Sequence, residues 1–259
     1  MVVRARSIQL EIGDESKPQR IERAEALLDQ ASDGDLVILP EIWNIGYFCF
    51  DLYSKESEPI DGETATRMSA KARKHGCYLH AGSFVEQRDG KLYNTSLLFD
   101  PEGKRIAAYR KIHLYGYGSK ESQILSRGSE VVVVDTALGK IGLCTCYDLR
   151  FPELFRAMLD KGAELFLVTS GWPYPRLEHW LMFNRIRAIE NTAYLVSSNG
   201  TGVNRGVQFC GHSMMVDPWG VILTSGGDEP CILKADIDMD RVAAVRGKFP
   251  AVSDRVLSR

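Results

Sequence analysis

The stretch Gly142-Leu143-Cys144-Thr145-Cys146-Tyr147-Asp148-Leu149-Arg150-Phe151-Pro152-Glu153 decides how the rest of the chain is read. Upstream lie Val131-Val132-Val133-Val134, a turn at Leu138-Gly139-Lys140, and then Ile141 and Leu143, which read as two short buried strands. Downstream, Pro152 suits a first helical turn, where its missing N–H would have no partner, and Glu153 complements the positive end of the helix. Cys146 therefore falls where a strand gives way to a helix. A thiol at such a junction is open to approach, close to free backbone N–H groups, and drawn toward its thiolate by the helix field. Those are the properties of a nucleophile, although cysteine is also common core filler.

Working outward, 259 residues allow one large domain or two small ones, with 44% hydrophobic and 25% charged residues as in ordinary soluble proteins. A net charge of −2 gives no broad basic surface, so nucleic acid and anionic membrane are poor partners. No apolar run approaches a membrane span, and Met1-Val2-Val3-Arg4-Ala5-Arg6 lacks the apolar core of a signal peptide, so a cytoplasmic protein is expected. The six scattered cysteines are expected as reduced thiols.

Taken in order, residues 2–10 alternate as a strand, and residues 18–31 place Ile21, Ala24, Leu27 and Leu28 at helical spacing. Leu36-Val37-Ile38-Leu39 is a continuous apolar run, the mark of a strand covered on both faces, and it ends in Pro40-Glu41. Open α/β sheets bind ligands at such strand ends, which makes Glu41 a candidate site residue. Residues 44–53 read as an aromatic loop able to wall a pocket, 63–75 as a helix, and 77–86, 92–99 and 105–109 as strands. Lys111 then stands at another strand end. The polar segment 115–130 reads as a loop over the site. Beyond the opening stretch follow a helix over 151–161, a strand over 165–169, an amphipathic helix over 176–191, a strand over 194–198, a hairpin over 211–223 and a last strand over 231–237. The tail after Asp238 reads as helical, then extended. Alternation without a linker or composition break predicts one domain over 1–259, a mixed sheet system with helices outside. No phosphate-binding glycine loop is present, so nucleotide binding has no support.

An attacking thiol needs a base or a positive neighbour. Glu41 supplies the first and Lys111 the second. At Leu39-Pro40-Glu41, Tyr109-Arg110-Lys111-Ile112-His113-Leu114 and Cys146-Tyr147-Asp148-Leu149-Arg150-Phe151-Pro152-Glu153 the chain resembles the nitrilase superfamily of carbon–nitrogen hydrolases. The resemblance implies an α/β fold of the αββα sandwich type, two mixed sheets with outer helices, homodimers pairing through helices, and a catalytic Glu41–Lys111–Cys146 triad. It also implies a second glutamate in the loop after the lysine, for which Glu121 is the nearest match. In the implied chemistry Glu41 takes the thiol proton, Lys111 and the Tyr147 N–H hold the oxyanion, ammonia leaves, and water cleaves the thioester, with neither cofactor nor metal.

Two other uses of these residues compete with the triad. Cys144 and Cys146 as a thiol or metal-binding pair lack a second close Cys/His pair to complete four ligands. His113 could serve a Cys–His hydrolase or be structural, and Cys144 is expected in the core. For the substrate, Trp172 is a candidate wall and Arg176 a candidate carboxylate partner, with Tyr47, Phe48 and Tyr115 completing the wall or merely packing. Ser170-Gly171-Trp172-Pro173, Arg187-Ala188-Ile189-Glu190-Asn191, Gly211-His212-Ser213 and Phe249-Pro250 look most like the omega-amidase branch, which hydrolyses small amides such as 2-oxoglutaramate. Relatives acting on deaminated glutathione or N-carbamoyl compounds share most of these motifs. Glu190 is expected to anchor its helix.

Overall fold

In the computed structural model residues 1–257 are described. The first part of the chain holds β1 (Val2–Gln9), α1 (Lys17–Gln30), β2 (Leu36–Ile38), the single turn α2 (Tyr53–Glu56), α3 (Glu63–His75), β3 (Tyr78–Arg88), β4 (Lys91–Phe99) and β5 (Arg105–Arg110). Then come the short α4 (Glu121–Ile124), β6 (Val133–Thr136), β7 (Gly139–Thr145), a 3₁₀ turn over Cys146–Arg150, α5 (Pro152–Asp160) and β8 (Leu165–Ser170). A second 3₁₀ turn at Tyr174–Arg176 leads into α6 (Leu177–Asn191), β9 (Tyr194–Asn199), the two-residue β10 (Val203–Asn204) and β11 (Val207–Gln208), β12 (Met214–Val216) and β13 (Ile222–Ser225). The chain closes with β14 (Cys231–Asp238) and α7 (Asp240–Lys248). The last two residues of the tail lie outside the described residues.

Two six-stranded sheets result, ordered β14-β1-β2-β3-β4-β5 and β13-β12-β9-β8-β7-β6. Each has a parallel centre, β1-β2-β3 in one and β7-β8-β9 in the other, flanked by antiparallel strands. Both are mixed, as expected. Because side chains alternate along a strand, each sheet buries two faces. Ala5, Ile38, Leu98 and Tyr109 meet Leu143, Leu167, Val196 and Met215 between the sheets. The other face of the first sheet takes α1 and α3 through Ile21, Leu28 and Met68. That of the second takes α5 and α6 through Phe155, Met158 and Trp180. The layers are therefore helix, sheet, sheet, helix. The unbroken apolar run of β2 is explained by its central place, with no face left to water.

Two elements differ from their sequence readings. Valines 131–134 were expected in a buried strand, but β6 begins at Val133, and Val133 and Val134 are only half-buried because β6 is an edge strand. The helix read as amphipathic, α6, carries apolar side chains on its open face: Met182 is 65% exposed, and Ile186 and Ile189 are 41%. Its inward face carries Asn184, Arg187 and Asn191 beside Trp180 and Ala188, and Arg187 has a structural reason to be there. The Arg187 Nε donates to the Leu149 carbonyl at 2.8 Å and its Nη1 to Glu190 Oε1 at 2.6 Å, so α6 grips the 3₁₀ turn that follows Cys146. Glu190 thus anchors its helix, as read. Among the described residues no helix is long and apolar enough to cross a membrane.

The strand ends that matter meet at one rim. Glu41 follows β2, Lys111 follows β5, Cys146 follows β7 and Ser170 ends β8, while the Glu41 N–H donates across the sandwich to the Ser170 carbonyl at 3.2 Å. A bulge in β3 fixes the turn that presents Glu41. Gly82 there has φ +65°, and a Cβ on it would lie 2.0 Å from the Pro40 carbonyl oxygen. Ser83 holds the same turn, donating its N–H to Pro40 O at 3.1 Å and accepting the Ile42 N–H on its hydroxyl at 3.0 Å. Gly82→Ala is therefore expected to destabilise the protein by about 2 kcal/mol or more, from the left-handed backbone plus the clash with rigid main chain. A urea melt checks this: an unchanged midpoint would contradict the close approach.

Candidate active site

Each glutamate, brought from a different element, accepts from one ammonium. Lys111 Nζ donates to Glu41 Oε1 at 2.7 Å and to Glu121 Oε1 and Oε2 at 2.9 and 3.0 Å, and all three side chains are fully buried. Buried charges are tolerable only when paired and fully hydrogen-bonded, and here they are. Asn94 Nδ2 bridges the carboxylates, at 2.7 Å from Glu41 Oε1 and 3.0 Å from Glu121 Oε1. The Gly171 N–H donates to Glu41 Oε2 at 2.8 Å. Glu121 Oε2 accepts from the Tyr47 hydroxyl at 3.0 Å and the Tyr115 N–H at 2.7 Å. Glu121 is therefore no surface residue: the polar loop carries α4, which turns it inward.

Cys146 begins the 3₁₀ turn with φ +47°, a left-handed backbone that costs a residue with a Cβ roughly 1–2 kcal/mol. The surroundings hold it there. The buried Asp148 carboxylate accepts the Thr145 N–H at 2.9 Å, the Tyr109 hydroxyl at 2.6 Å, and the His113 N–H and Nδ1–H at 3.1 and 2.7 Å. The His113 ring stacks on Phe151 with centroids 3.7 Å apart. His113 thus braces the elbow and takes the structural place. Cys144 packs in the core one step deeper on the same face, its thiol donating to the Leu167 carbonyl at 3.7 Å. Among the described residues no group of His, Cys, Asp or Glu is arranged to hold a metal ion.

The electrostatics correct one expectation. The helix field was expected to draw Cys146 toward its thiolate, but burial, then the charge of Glu41, push the thiol well above its ordinary value. Lys111 and the Ser170 hydroxyl pull the other way without prevailing. A 3₁₀ turn of five residues in a closed site supplies too little field to overcome desolvation. Burial also raises Glu41, reinforced by the like charge of Glu121 against the pull of Lys111. Burial lowers Lys111, yet Glu121 and Glu41 outweigh it and hold the ammonium well above its usual range. The resting site is a neutral thiol beside a carboxylate of raised proton affinity, with which it interacts directly, and a permanent ammonium.

A narrow pocket opens on Cys146. Tyr47, Phe48, Tyr115, Tyr147 and Trp172 wall it, and Arg176 lines it as expected. Arg150 also lines it, which the sequence reading did not foresee. Its guanidinium lies 4.8 Å from the Trp172 ring centre and 5.3 Å from that of Phe183, with Nη2 3.2 Å from His179 Nδ1. Arg176 lies over Tyr115 at 5.4 Å. Neither arginine is paired with an acidic side chain among the described residues, and burial lowers the Arg150 pKa, as for a cation short of counter-charge. Asn94 was also missed. Its only sequence signal is an amide amid the apolar pattern of the strand over 92–99.

A thiol at a pocket floor, backed by a buried carboxylate and a fixed ammonium, has the parts of acyl transfer by a cysteine nucleophile. The chain belongs to the carbon–nitrogen hydrolase family, whose model matches residues 4–247. It is 38% identical over 244 residues to the 2-oxoglutaramate amidase of Paenarthrobacter nicotinovorans, covering 91% of this chain and 83% of that one. It is 34% identical over 263 residues to omega-amidase NIT2 of Mus musculus, covering 96% and 93%. Among solved structures, Nit3 of Saccharomyces cerevisiae, a member of branch 10 of the nitrilase superfamily, superposes with a TM-score of 0.91 at 30% identity over 99% of this chain and 97% of that one. The protein is an omega-amidase-like hydrolase of carbon–nitrogen bonds other than peptide bonds, with the sandwich fold of that superfamily.

The brace at Asp148 yields a direct test. Asp148→Asn replaces one acceptor oxygen by a donor facing N–H and O–H groups, so unfolding should cost about 2–4 kcal/mol less. Turnover should also fall more than tenfold as the elbow relaxes. Calorimetry and steady-state rates together check this, and a variant as stable and active as the native protein would remove the brace from the account.

Proposed function

We propose that the protein hydrolyses the terminal amide of a small 2-oxo dicarboxylic acid monoamide, such as 2-oxoglutaramate, to the acid and ammonia through a thioester on Cys146. One observation carries the substrate reading: the cavity at Cys146 is lined by two guanidiniums without acidic partners and by no carboxylate. A carboxylate beside a keto oxygen supplies acceptors for both forks, whereas the ammonium of an amino acid amide such as glutamine would meet only cations. The names of the relatives, 2-oxoglutaramate amidase and omega-amidase, support the same class.

In the proposed reaction Glu41 accepts the Cys146 proton as the sulfur attacks the amide carbon. A thiol raised by burial needs that transfer to accompany attack. The oxyanion is held by Lys111 Nζ and the Tyr147 N–H at the open start of the 3₁₀ turn. Glu121, accepting from Lys111 with both oxygens, aims the ammonium. Glu41 returns its proton to the departing nitrogen, ammonia leaves, and Glu41 then takes a proton from the water that cleaves the thioester. Arg176 and Arg150 hold the carboxylate end, and Tyr47, Tyr147 and Trp172 the apolar chain.

We further read the chain as one domain that works as a homodimer in the cytoplasm. Six unpaired cysteines suit a reducing compartment. The open face of α6 gives the dimer a surface: Met182, Ile186 and Ile189 form a stripe, and Gly220 packs on Ile189 beside exposed Trp219 and Phe249, whose rings lie 5.8 Å apart. A self-complementary stripe of this kind pairs about a two-fold axis.

Ammonia release from 2-oxoglutaramate should fall at least roughly 10³-fold in Cys146→Ala. In Arg176→Ala, KM should rise about tenfold or more while an uncharged amide is unaffected. Faster ammonia release from an N-carbamoyl amino acid, with carbon dioxide beside it, would transfer the reading to a carbamoyl hydrolase. The pH profile has a definite sign. Glu41 must be ionised to act and burial raises it, so kcat/KM should fall with acidification through a pH above the usual carboxylate range. Lys111 must stay protonated and is held high, so it sets no alkaline limb near neutrality. Sedimentation should show a dimer that Ile186→Glu converts to monomer, and a dimer indifferent to that change would place its interface elsewhere.

A further inference from the structure

Ser170 ends β8, beside the strand that carries the nucleophile. The parallel register pairs Cys144 with Val168 and Thr145 with Thr169, so Cys146 and Ser170 are the next residues out. Alternation turns both toward the side that Cys144 and Val168 face. The Ser170 backbone is held firmly. Its carbonyl accepts the N–H groups of Glu41 and Gly200, both at 3.2 Å, and the following N–H, of Gly171, donates to the Glu41 carboxylate at 2.8 Å. The side chain is fully buried, yet its Oγ has no well-formed hydrogen bond in the resting site. A buried hydroxyl left so is unfavourable by itself and calls for a partner that appears at another stage. The Ser170 hydroxyl lies near enough to the Cys146 sulfur to lower the thiol's proton affinity, after Lys111.

From this placement we infer that Ser170 is a further catalytic residue, whose hydroxyl donates to the Cys146 sulfur whenever that sulfur carries negative charge. The inference rests on Cys146 being the nucleophile. In acylation the S–H bond breaks, its proton goes to a Glu41 oxygen, and the electron pair left on sulfur accepts the Ser170 O–H as it attacks. In hydrolysis the C–S bond breaks, the sulfur leaves with the pair and takes the same hydrogen bond, and Glu41 returns to it the proton gained from water. The other groups around the sulfur do not fill this place. Glu41 and Glu121 repel the charge, Lys111 is engaged by both carboxylates, and Tyr47 hydrogen-bonds Glu121. Tyr115 lies beneath Arg176, while Arg150 is stacked on Trp172 at the cavity wall.

The test compares native protein with Ser170→Ala. Removing a hydroxyl that has no resting partner should leave the urea midpoint unchanged or higher. Meanwhile kcat should fall about tenfold to a hundredfold with KM little changed, the worth of one hydrogen bond to an anion. The decisive readout is the rate of iodoacetamide alkylation at Cys146 against pH, followed on its own peptide by mass spectrometry without substrate. In Ser170→Ala that profile should move to higher pH, because the thiolate has lost a donor. A profile that does not move overturns the inference, whatever happens to stability. Full activity in Cys146→Ala would instead remove the nucleophile itself, and so separates failure of the underlying reading from failure of this one.

Discussion

A single ammonium shared by two carboxylates, all three sealed from water, is the constraint on which the rest of this structure depends. Glu41 and Glu121 could not both stay ionised at close range in the interior without Lys111 between them, and Lys111 could not stay charged without at least one of them. The polar loop after β5 is shaped by this need. Glu121 is drawn in on α4, and the Tyr115 N–H, the Tyr47 hydroxyl and Asn94 close around its oxygens. Burial, with the charge of Glu121 beside it, makes Glu41 a stronger proton acceptor, and burial, with the charge of Glu41, raises the neighbouring thiol.

The same constraint sets the division of labour between the sheets. The first supplies the Glu41 carboxylate, the Lys111 ammonium and the Asn94 amide that bridges the carboxylates, from the ends of β2 and β5 and from β4. The second supplies the sulfur, the Ser170 hydroxyl and, through the turn beyond β8, the Gly171 N–H that reaches back to Glu41. The arginines come from the second sheet's connections, one in the 3₁₀ turn after Cys146 and one at the start of α6. The cationic end of the cavity, at Arg150 and Arg176, is therefore separate from the buried anionic cluster.

Much of this was legible from residue order. Leu36–Leu39 running into Pro40-Glu41 announced a covered strand with a carboxylate at its end, and Pro152-Glu153 announced the helix after Cys146. What escaped the reading did so for physical reasons. Asn94 matters because β5 sets Lys111 beside it, a neighbourhood created by sheet pairing and invisible to local pattern. Arg150 resembles any surface arginine until Trp172 and Phe183 are folded against it. At Cys146 burial outweighs any helix field, and residue order shows the helix start but not the depth of burial. In α6 the spacing of apolar residues was plain, but not that Arg187 turns inward to hold Leu149 while Met182 and Ile186 turn out.

The bond from the Gly171 N–H to Glu41 and the bond from the Glu41 N–H to the Ser170 carbonyl both cross from one sheet to the other. Beneath them lies apolar contact crossed by further directional bonds: the Thr169 hydroxyl donates to the Leu39 carbonyl at 2.9 Å, the Ser198 hydroxyl to the Ile8 carbonyl at 2.7 Å and the Ser7 hydroxyl to the Ser197 carbonyl at 2.7 Å. Alignment of the two halves is thus registered by a row of hydrogen bonds that runs from the interior out to Glu41 and Gly171 at the rim. Shear of about an ångström, too slight to expose the interior, would separate acceptor from sulfur. Turnover in such a molecule is a finer gauge of sheet alignment than any spectroscopic measure of folded content.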